Sequence, residues 1–205
     1  MERKKIKFIF DLDGTLTQQE SLPLMAKHFG VEAGIATLTR QAVEGQVDFL
    51  SAFAQRVQLL GSLPVDEVAS LLSQVPVYPQ LRDFINDDRH DCCIATSNLT
   101  CWVEKLCQQF HCELYSSQAR VENNQVAELQ QVLNKEQVVR QFQQAGYQVV
   151  FVGDGNNDVP AMEAAEVAIA TGITHAPAVA VLAVADYQAG TQEELLGYLQ
   201  AQLLD

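Results

Sequence analysis

The sequence predicts an α/β protein with a doubly wound, mostly parallel sheet of Rossmann type and a small helical domain. From residue 79 onward, short apolar segments alternate with helical patterns, which is typical of strands joined by crossover helices. Residues 18–78 interrupt this alternation with helical patterns and no convincing strand. We therefore expect residues 1–17 and 79–205 to form the core domain and residues 18–78 to form a helical cap domain.

Five segments have the composition and length of strands. They are short and rich in apolar residues, as buried strands are, and they lie at 6–10, 92–96, 113–115, 148–152 and 167–170. A weaker pattern at 120–126 predicts a hairpin. Its turn is expected at Asn123 and Asn124, because asparagine tolerates the left-handed backbone of tight turns.

Helical patterns occupy most of the remaining chain. In the core, helices are expected at 101–111 and 135–145, and a last helix follows Thr191, with Glu194 at the reciprocal capping-box position. In the inserted segment, helices are expected at 21–29, 31–43, 48–60 and 64–74. Because this segment follows the first predicted strand closely, we expect it to cover a site at the end of that strand as a lid.

Composition and charge indicate a soluble enzyme. Of the 205 residues, 48% are hydrophobic and 19% are charged, so we expect neither a disordered chain nor a membrane protein. The formal net charge of −13 argues against general nucleic-acid binding, and local cations must hold any anionic substrate. No apolar run has the length of a membrane span. The basic residues 1–5 lead only into a short strand, so we predict no signal peptide.

All five cysteines lie between residues 92 and 112, near His90 and His111. A zinc site is conceivable, but paired Cys-x-x-Cys spacing is missing, and Cys92 and Cys93 fall in an apolar predicted strand. We interpret the cysteines as small buried apolar side chains. An odd number of cysteines without a secretion signal is typical of a reducing compartment, so we expect a cytoplasmic protein.

Carboxylates follow two of the predicted strands. The first strand leads into Asp11 and Asp13, and the strand at 148–152 leads into Asp154 and Asp158. Ligands of parallel α/β sheets bind beyond the carboxyl ends of the strands, so we expect these carboxylates at one site. Mg²⁺ prefers such oxygen ligands, and a carboxylate beside the metal can attack phosphorus. Either motif alone could be an ordinary turn, but together they predict a phosphatase.

Two further polar positions lie between these motifs in the sequence. Ser97 follows the strand at 92–96, and Lys135 begins a predicted helix. Taken by themselves, Ser97 and Asn98 could equally form a helix-capping turn. Lys135, taken by itself, is interpreted as a solvated surface lysine.

Together the motifs resemble those of the haloacid dehalogenase (HAD) superfamily, and the resemblance covers essentially the whole chain. The shared features are Asp-x-Asp-Gly-Thr at 11–15, a serine after the second strand, a later lysine, and Gly-Asp-Gly-x-Asn-Asp at 153–158. The paired acids Asp11 and Asp13 match the phosphatases of the superfamily, because its dehalogenases lack the second acid. The resemblance implies a HAD-like core and a Mg²⁺-dependent phosphomonoesterase.

The resemblance also implies a role for each motif residue. Asp11 would attack phosphorus, and Asp13 would act first as general acid and then as general base. Mg²⁺ would be held by Asp11, the backbone carbonyl of Asp13 and Asp154, with Asp158 as support of the metal loop. The phosphate oxygens would be bound by Ser97, Asn98, Lys135 and Asn157.

Within the superfamily, the resemblance sharpens toward the phosphoserine phosphatases. Glu20 keeps that family's spacing from the nucleophile, and Arg56 lies in a segment similar to the one that binds the substrate carboxylate. Phe49 lies at the position of an apolar contact. Substrate recognition is therefore implied for these three residues. Without the resemblance, Glu20 would be a turn residue, Arg56 a solvated helix residue and Phe49 part of the core.

One departure from that family concerns the substrate. Ser97 is followed by Asn98 and Leu99, where phosphoserine phosphatases usually have two glycines that let the backbone approach the substrate. Another small phosphomonoester, such as a sugar phosphate, therefore stays open, as does phosphoryl transfer to an alcohol. A non-catalytic phospholigand-binding module is the third possibility. The expected partner is a small phosphomonoester, and the sequence does not predict an oligomeric state.

Overall fold

The computed structural model describes residues 5–43, 49–87 and 90–204. Its strands within these ranges are β1 (Lys5–Phe10), β2 (Cys92–Leu99), β3 (Glu113–Glu122), β4 (Gln125–Gln131), β5 (Tyr147–Gly153), β6 (Val167–Thr171) and β7 (Tyr187–Ala189). They form one sheet in the order β4-β3-β2-β1-β5-β6-β7. Neighbouring strands run parallel, except in the β3–β4 hairpin at one edge.

Two groups of helices follow from the described residues. Those of the inserted segment are α1 (Ser21–Phe29), α2 (Glu32–Val43), α3 (Phe49–Leu60) and α4 (Val65–Leu72). Those that follow are α5 (Pro79–Ile85), α6 (Thr100–Cys107), α7 (Lys135–Gln144), α8 (Val159–Ala164), α9 (Val179–Val184) and α10 (Gln192–Gln202). Short 3₁₀ turns lie at Gln108–Phe110 and Asn156–Asp158.

Successive side chains of β1 point to opposite faces of the sheet, and each face packs against helices. Phe8 and Phe10 join a buried cluster with residues of α5, α6 and α10. Ile9 joins a second cluster with residues of α7, α8 and α9. All three side chains are fully buried, as expected for a central strand that is covered on both faces. The predicted doubly wound α/β fold is confirmed.

The predicted elements agree with the structure except where local signals are weak. The third strand continues to Glu122 because it pairs with β4, and the hairpin turns at Asn123 and Asn124 with φ of 50° and 63°. The sequence does not predict β7, which has only three residues. Pro79 begins α5, a helix that the sequence does not predict, and a proline in the first helical turn sacrifices no intrahelical bond.

The cap of α10 differs from the prediction in one bond. As predicted, the hydroxyl of Thr191 accepts a hydrogen bond from the Glu194 N–H, at 3.2 Å. The Glu194 carboxylate, however, accepts from the N–H of Gly190 at 2.7 Å, one residue before the predicted partner.

The inserted helices are joined to the sheet by two segments that run side by side. Thr17 and Val77 form an antiparallel bridge, and the N–H of Tyr78 donates to the carbonyl of Leu16 at 3.0 Å. The chain therefore leaves and re-enters the core directly beside the loop that follows β1. The division into domains at residues 18 and 78 stays a prediction.

The cysteines are free thiols, and their environments explain why the sequence groups them with apolar residues. Cys92, Cys93 and Cys107 are buried. Burial raises the pKa of the Cys92 and Cys93 thiols, which keeps them neutral. The interpretation as buried apolar side chains is confirmed for these three. In the part of the chain that the structure describes, the possible metal-ligand groups contain no cysteine.

Candidate active site

The loops after β1 and β5 lie next to each other at the carboxyl end of the sheet. In the parallel pair, Phe10 is opposite Val152. The N–H of Asp11 extends the pairing by donating to the carbonyl of Val152 at 2.9 Å. The two predicted motif loops, 11–17 and 154–158, therefore meet at one site.

Lys135 is buried between two motif carboxylates. Its Nζ lies 2.5 Å from Oδ1 of Asp11 and 2.6 Å from Oδ1 of Asp158, and only 3% of the residue is exposed. Burial lowers the pKa of Lys135, but the two carboxylates raise it above its usual value overall. Interpreting Lys135 as a solvated surface lysine is therefore wrong, because the start of α7 faces the end of the sheet rather than solvent.

The single lysine does not compensate the charge of the carboxylates around it. Burial raises the pKa of Asp11, and the charges of Asp158 and Asp154 keep it well above its usual value against the opposing effect of Lys135. Burial and Asp158 also raise the pKa of Asp154 to about 7, although Thr15 donates a hydrogen bond to it at 2.9 Å.

Asp11, Asp154 and Asp158 have the properties of a site for a divalent cation. Each provides one carboxylate oxygen, and these oxygens lie within 4.8 Å of one another. All three residues are buried, so their repulsion is weakly screened. Mg²⁺ takes oxygen ligands and would supply the missing positive charge, so the residues fit the predicted metal.

Asp158 also closes the loop after β5. Its Oδ2 accepts hydrogen bonds from the N–H groups of Asp154, at 3.1 Å, and Gly155, at 2.9 Å. A Cβ at position 153 would lie 2.6 Å from Cγ of Asp158, so glycine is required there. Asp158 therefore fixes the backbone of this loop, while its support of a metal ion stays a prediction.

The carboxylate of Asp13 is held on both oxygens. Its Oδ1 accepts from the N–H of Ser21 at 3.1 Å, and its Oδ2 accepts from the side-chain amide of Asn98 at 3.0 Å. The same amide nitrogen lies 2.9 Å from Oγ of Ser21. Asn98 therefore contacts the predicted acid–base residue, while its predicted role in phosphate binding stays a prediction.

Ser97 and Asn157 face each other across the site. The amide of Asn157 donates to Oγ of Ser97 at 3.4 Å. The carbonyl of Ser97 accepts from the hydroxyl of Ser117 at 2.7 Å, which fixes the end of β2 against β3. Two of the predicted phosphate ligands are thus brought together.

Glu20 lies beside the same loop and contacts a histidine outside the motifs. Its Oε1 is 2.6 Å from Nε2 of His175, which lies 3.2 Å from Oδ2 of Asp154. Burial raises the pKa of Glu20, as does the charge of Asp13. A Cβ at Gly14, where φ is +75°, would lie 2.6, 2.7 and 3.0 Å from these three polar atoms. The three side chains therefore pack directly onto the loop after β1.

His175 belongs to the loop after β6, and hydrogen bonds fix that loop on both sides of it. The hydroxyl of Thr174 donates to the carbonyl of Thr17 at 2.9 Å, and the N–H of Ala178 donates to the carbonyl of Asp154 at 2.8 Å. No sequence motif marks this histidine. The available signal was its position just after a strand that neighbours β5, at the edge where ligands bind.

The other two predicted recognition residues lie on α3. Arg56 is half-buried, and burial lowers its pKa. Phe49 begins the helix, but its side chain lies outside the described residues. Their predicted contacts with a substrate stay predictions.

The site is a buried carboxylate–lysine centre at the carboxyl edge of a parallel sheet, and its carboxylates could hold a metal ion. The chain belongs to the haloacid dehalogenase-like hydrolases, because the model of that family matches residues 8–166. The resemblance seen in the motifs is therefore confirmed.

Curated relatives are phosphoserine phosphatases. The enzyme of Methanocaldococcus jannaschii is 35% identical over 75 residues, which cover 37% of this chain and 36% of the relative. The enzyme of Archaeoglobus fulgidus is 24% identical over 183 residues, which cover 82% of this chain and 53% of the relative. The chain thus spans about a third to a half of the length of these two relatives.

Solved structures share the fold. A substrate-bound phosphoserine phosphatase has a TM-score of 0.80 at 21% identity, with 96% of this chain and 99% of that chain covered. A HAD family hydrolase of Salmonella enterica serovar Typhi has a TM-score of 0.83 at 22% identity, with 95% and 71% covered. At these identities the likeness concerns the fold alone.

Proposed function

We propose that this protein is a Mg²⁺-dependent phosphomonoester hydrolase that acts through an aspartyl-phosphate intermediate. The observation that carries the proposal is the Asp11 carboxylate, which is buried at the sheet edge beside Lys135, Asp154 and Asp158. A carboxylate is a better nucleophile in a preorganised site that excludes solvent, because water would otherwise solvate it and compete with the phosphate. Membership of the HAD-like hydrolases supports the same chemistry.

Each residue of the site has a separate role in the proposed reaction. Lys135 orients Asp11 through one of its oxygens, which leaves the other free to attack phosphorus. Asp13 protonates the leaving alkoxide and then takes a proton from the attacking water, and the bonds from Ser21 and Asn98 fix its orientation. Phosphate oxygens are bound by Lys135 and by Ser97, Asn98 and Asn157.

Mg²⁺ would be held by Asp11, the backbone carbonyl of Asp13 and Asp154, with Asp158 as support. When bound, the ion offsets the repulsion between a negatively charged nucleophile and a negatively charged phosphate. Removing the ion with a chelator should abolish phosphate release, and Mg²⁺ should restore it. Ca²⁺ should restore it poorly, because it prefers more ligands in a looser geometry.

Phosphate release measured in EDTA, and again after adding each metal, tests this prediction. Asp154→Ala is the matched variant and should shift the Mg²⁺ dependence to higher concentration. Glu193→Ala, which removes an exposed carboxylate on α10, should leave the dependence unchanged. Full activity in excess chelator would contradict the proposed metal.

Phosphoserine is the first candidate substrate. The curated relatives carry that name, and Glu20 and Arg56 would recognise its ammonium group and its carboxylate. A second candidate is another small phosphomonoester. Two contacts favour this second candidate. The side-chain amide of Asn98 donates to Asp13, and Glu20 is bonded to His175. Both contacts lie on the side of the site where the leaving group departs toward Asp13.

The proposed setting is a small-molecule reaction in the cytoplasm, without nucleic acid as a partner. The net charge of −13 disfavours binding to a polyanion. Among the described residues, no helix has both the length and the apolar character needed to cross a membrane.

A Mg²⁺-dependent phosphate-release screen tests the function most directly. It would compare phosphoamino acids, sugar phosphates and nucleoside monophosphates, and it would add an alcohol acceptor to detect phosphoryl transfer. Release from at least one class is the expected result. Absence of release and transfer with all of them would favour a phospholigand-binding module instead.

A further inference from the structure

The tip of the β3–β4 hairpin caps the N-terminus of α4. The first N–H groups of a helix have no partner within the helix, and Pro64, at the capping position, provides no side-chain bond to them. The carbonyl of Asn124 accepts from the N–H of Val65 at 2.8 Å, and its side-chain oxygen accepts from the N–H of Asp66 at 3.1 Å. The side-chain amide of Asn124 in turn donates to the carboxylate of Asp66. The helix is therefore capped by the sheet and not by its own segment.

The same hairpin also holds the end of α3. The N–H of Val126 donates to the carbonyl of Gly61 at 3.0 Å, and the side-chain amide of Gln125 donates to the carbonyl of Ser62 at 2.5 Å. A Cβ at position 61 would lie 3.2 Å from Cβ of Val126, so the backbone of this turn lies directly on the hairpin. Val126 is half-buried against the apolar cluster that includes Leu60. Hydrogen bonds and apolar packing therefore both hold the turn between α3 and α4.

The end of α3 that the hairpin holds is the end that carries Arg56, the proposed ligand of a substrate carboxylate. Arg56 lies about one helical turn before Leu60, the last residue of α3. Beyond the tip of the hairpin, a groove of about 370 Å³ lies between α3 and β4, with Ala54 and Leu129 among its lining residues. Because this groove leaves room for α3 to shift, the contacts at the tip restrict where Arg56 lies.

The residues proposed for the chemical step are held by other elements. Asp11 and Asp154 lie in the loops after β1 and β5, and Lys135 begins α7. Loosening the tip of the hairpin should therefore affect the recognition of a substrate and leave the chemical step intact.

We propose that Asn124 is a positioning residue for substrate recognition: it seats the turn between α3 and α4 on the hairpin and thereby keeps Arg56 in place for a substrate carboxylate. The inference rests on the proposed function and adds to it an element of the sheet that acts on the recognition helix. When the turn is seated, a substrate meets a preorganised α3. When the turn is released, only part of the molecules can bind, and the apparent affinity falls by that fraction.

A substitution that keeps the hairpin turn but removes the side-chain bonds tests the seating. Asn124 has a φ of 63°, so glycine fits the same backbone. In Asn124→Gly, we expect the amide hydrogens of α3 and α4 to exchange about 5-fold faster, the scale of one helix cap. Asn123→Gly, at the neighbouring exposed asparagine with a φ of 50°, is the matched control and should leave exchange unchanged. Equal exchange of both helices in all three proteins would overturn the proposal.

Steady-state kinetics separate recognition from chemistry. With O-phosphoserine, which carries a carboxylate, KM of Asn124→Gly should rise about 5-fold while kcat stays within about 2-fold of the wild type. With 4-nitrophenyl phosphate, which has no carboxylate, both constants should be unchanged. In an Arg56→Ala background, Asn124→Gly should no longer raise KM for O-phosphoserine, because the two residues act through one contact. An equal rise of KM for both substrates, or a loss confined to kcat, would contradict the positioning role.

The two measurements distinguish a failure of this inference from a failure of the proposed function. Faster exchange in Asn124→Gly, in a protein that releases phosphate from no substrate, would overturn the proposed function, while the seating of the turn would stand. Hydrolysis of O-phosphoserine with the same KM in Asn124→Gly would retain the function and overturn the inference. Hydrolysis of 4-nitrophenyl phosphate but not of O-phosphoserine would also overturn the inference, because Arg56 would then have no carboxylate to bind.

Discussion

Replacing Asp11 with asparagine should abolish phosphate release while the protein still folds. An amide fills nearly the same volume but cannot form the covalent intermediate, so we expect kcat to fall on the order of 10⁴-fold or more. Stability should change little, because the substitution removes a favourable contact with Lys135 together with repulsion from Asp158 and Asp154. Phosphate release and thermal unfolding measured on the same preparation check both expectations.

Two comparisons make the Asp11 result specific. Asp83→Asn alters an exposed carboxylate on α5, whose described partner is the neighbouring Arg82, and should leave the rate unchanged. Acid quenching of wild-type protein during turnover should trap phosphate on the chain, and Asp11→Asn should trap none. Near-wild-type release by Asp11→Asn would exclude the covalent mechanism.

The motif loops could be predicted because their signals are local. β1 is a largely apolar strand that ends at Phe10, directly before Asp11, and β5 is a largely apolar strand that ends at Gly153. The carboxyl ends of parallel strands share one edge of the sheet, which is enough to predict that both loops lie at that edge. That β1 and β5 are neighbours is seen only in the structure. The steric need for glycine at 153 also lies within the motif itself, since the crowding atom belongs to Asp158.

The contacts that connect distant segments could not be predicted from the residues. A lysine is rarely buried unless it is paired, so the sequence around Lys135 predicts a surface position. Its carboxylate partners become evident only from the packing of α7 against the edge of the sheet. The amide of Asn98 meets Asp13 from 85 residues away. Whether that asparagine caps its own helix or orients a catalytic acid depends on tertiary structure alone.

His175 shows the same limit more sharply. Its loop has no motif spacing, and its partner Glu20 is 155 residues away in the sequence. The resemblance assigned Glu20 to a substrate ammonium, but it carried no information about a side chain from another loop that takes the same carboxylate. Departures from a family's pattern in substrate-facing loops therefore emerge only when the loops are seen together.

Substituting Lys135 with methionine should cause the second large loss of activity. Methionine is similar in length but carries no charge, so Asp11 loses its orienting donor and the phosphate loses a cation. We expect kcat/KM to fall on the order of 10³-fold, the scale for removing a preorganised electrostatic group. Lys105→Met, an exposed lysine on α6, is the matched control and should keep full activity.

The same variant should reveal how the buried charges are balanced. Without Lys135, Asp11 and Asp158 are buried carboxylates with no cation between them. In EDTA we expect the free energy of unfolding to fall by about 3 kcal/mol, the usual cost of leaving a buried charge unpaired. Adding Asp11→Asn to Lys135→Met should recover part of that loss, because it removes one of the uncompensated charges.

Mg²⁺ should stabilise Lys135→Met more than the wild type, since the ion then supplies the missing positive charge. Equal stability of the single and double variants in EDTA would mean that the carboxylates are already neutral, and the charge balance described for this site would then be wrong.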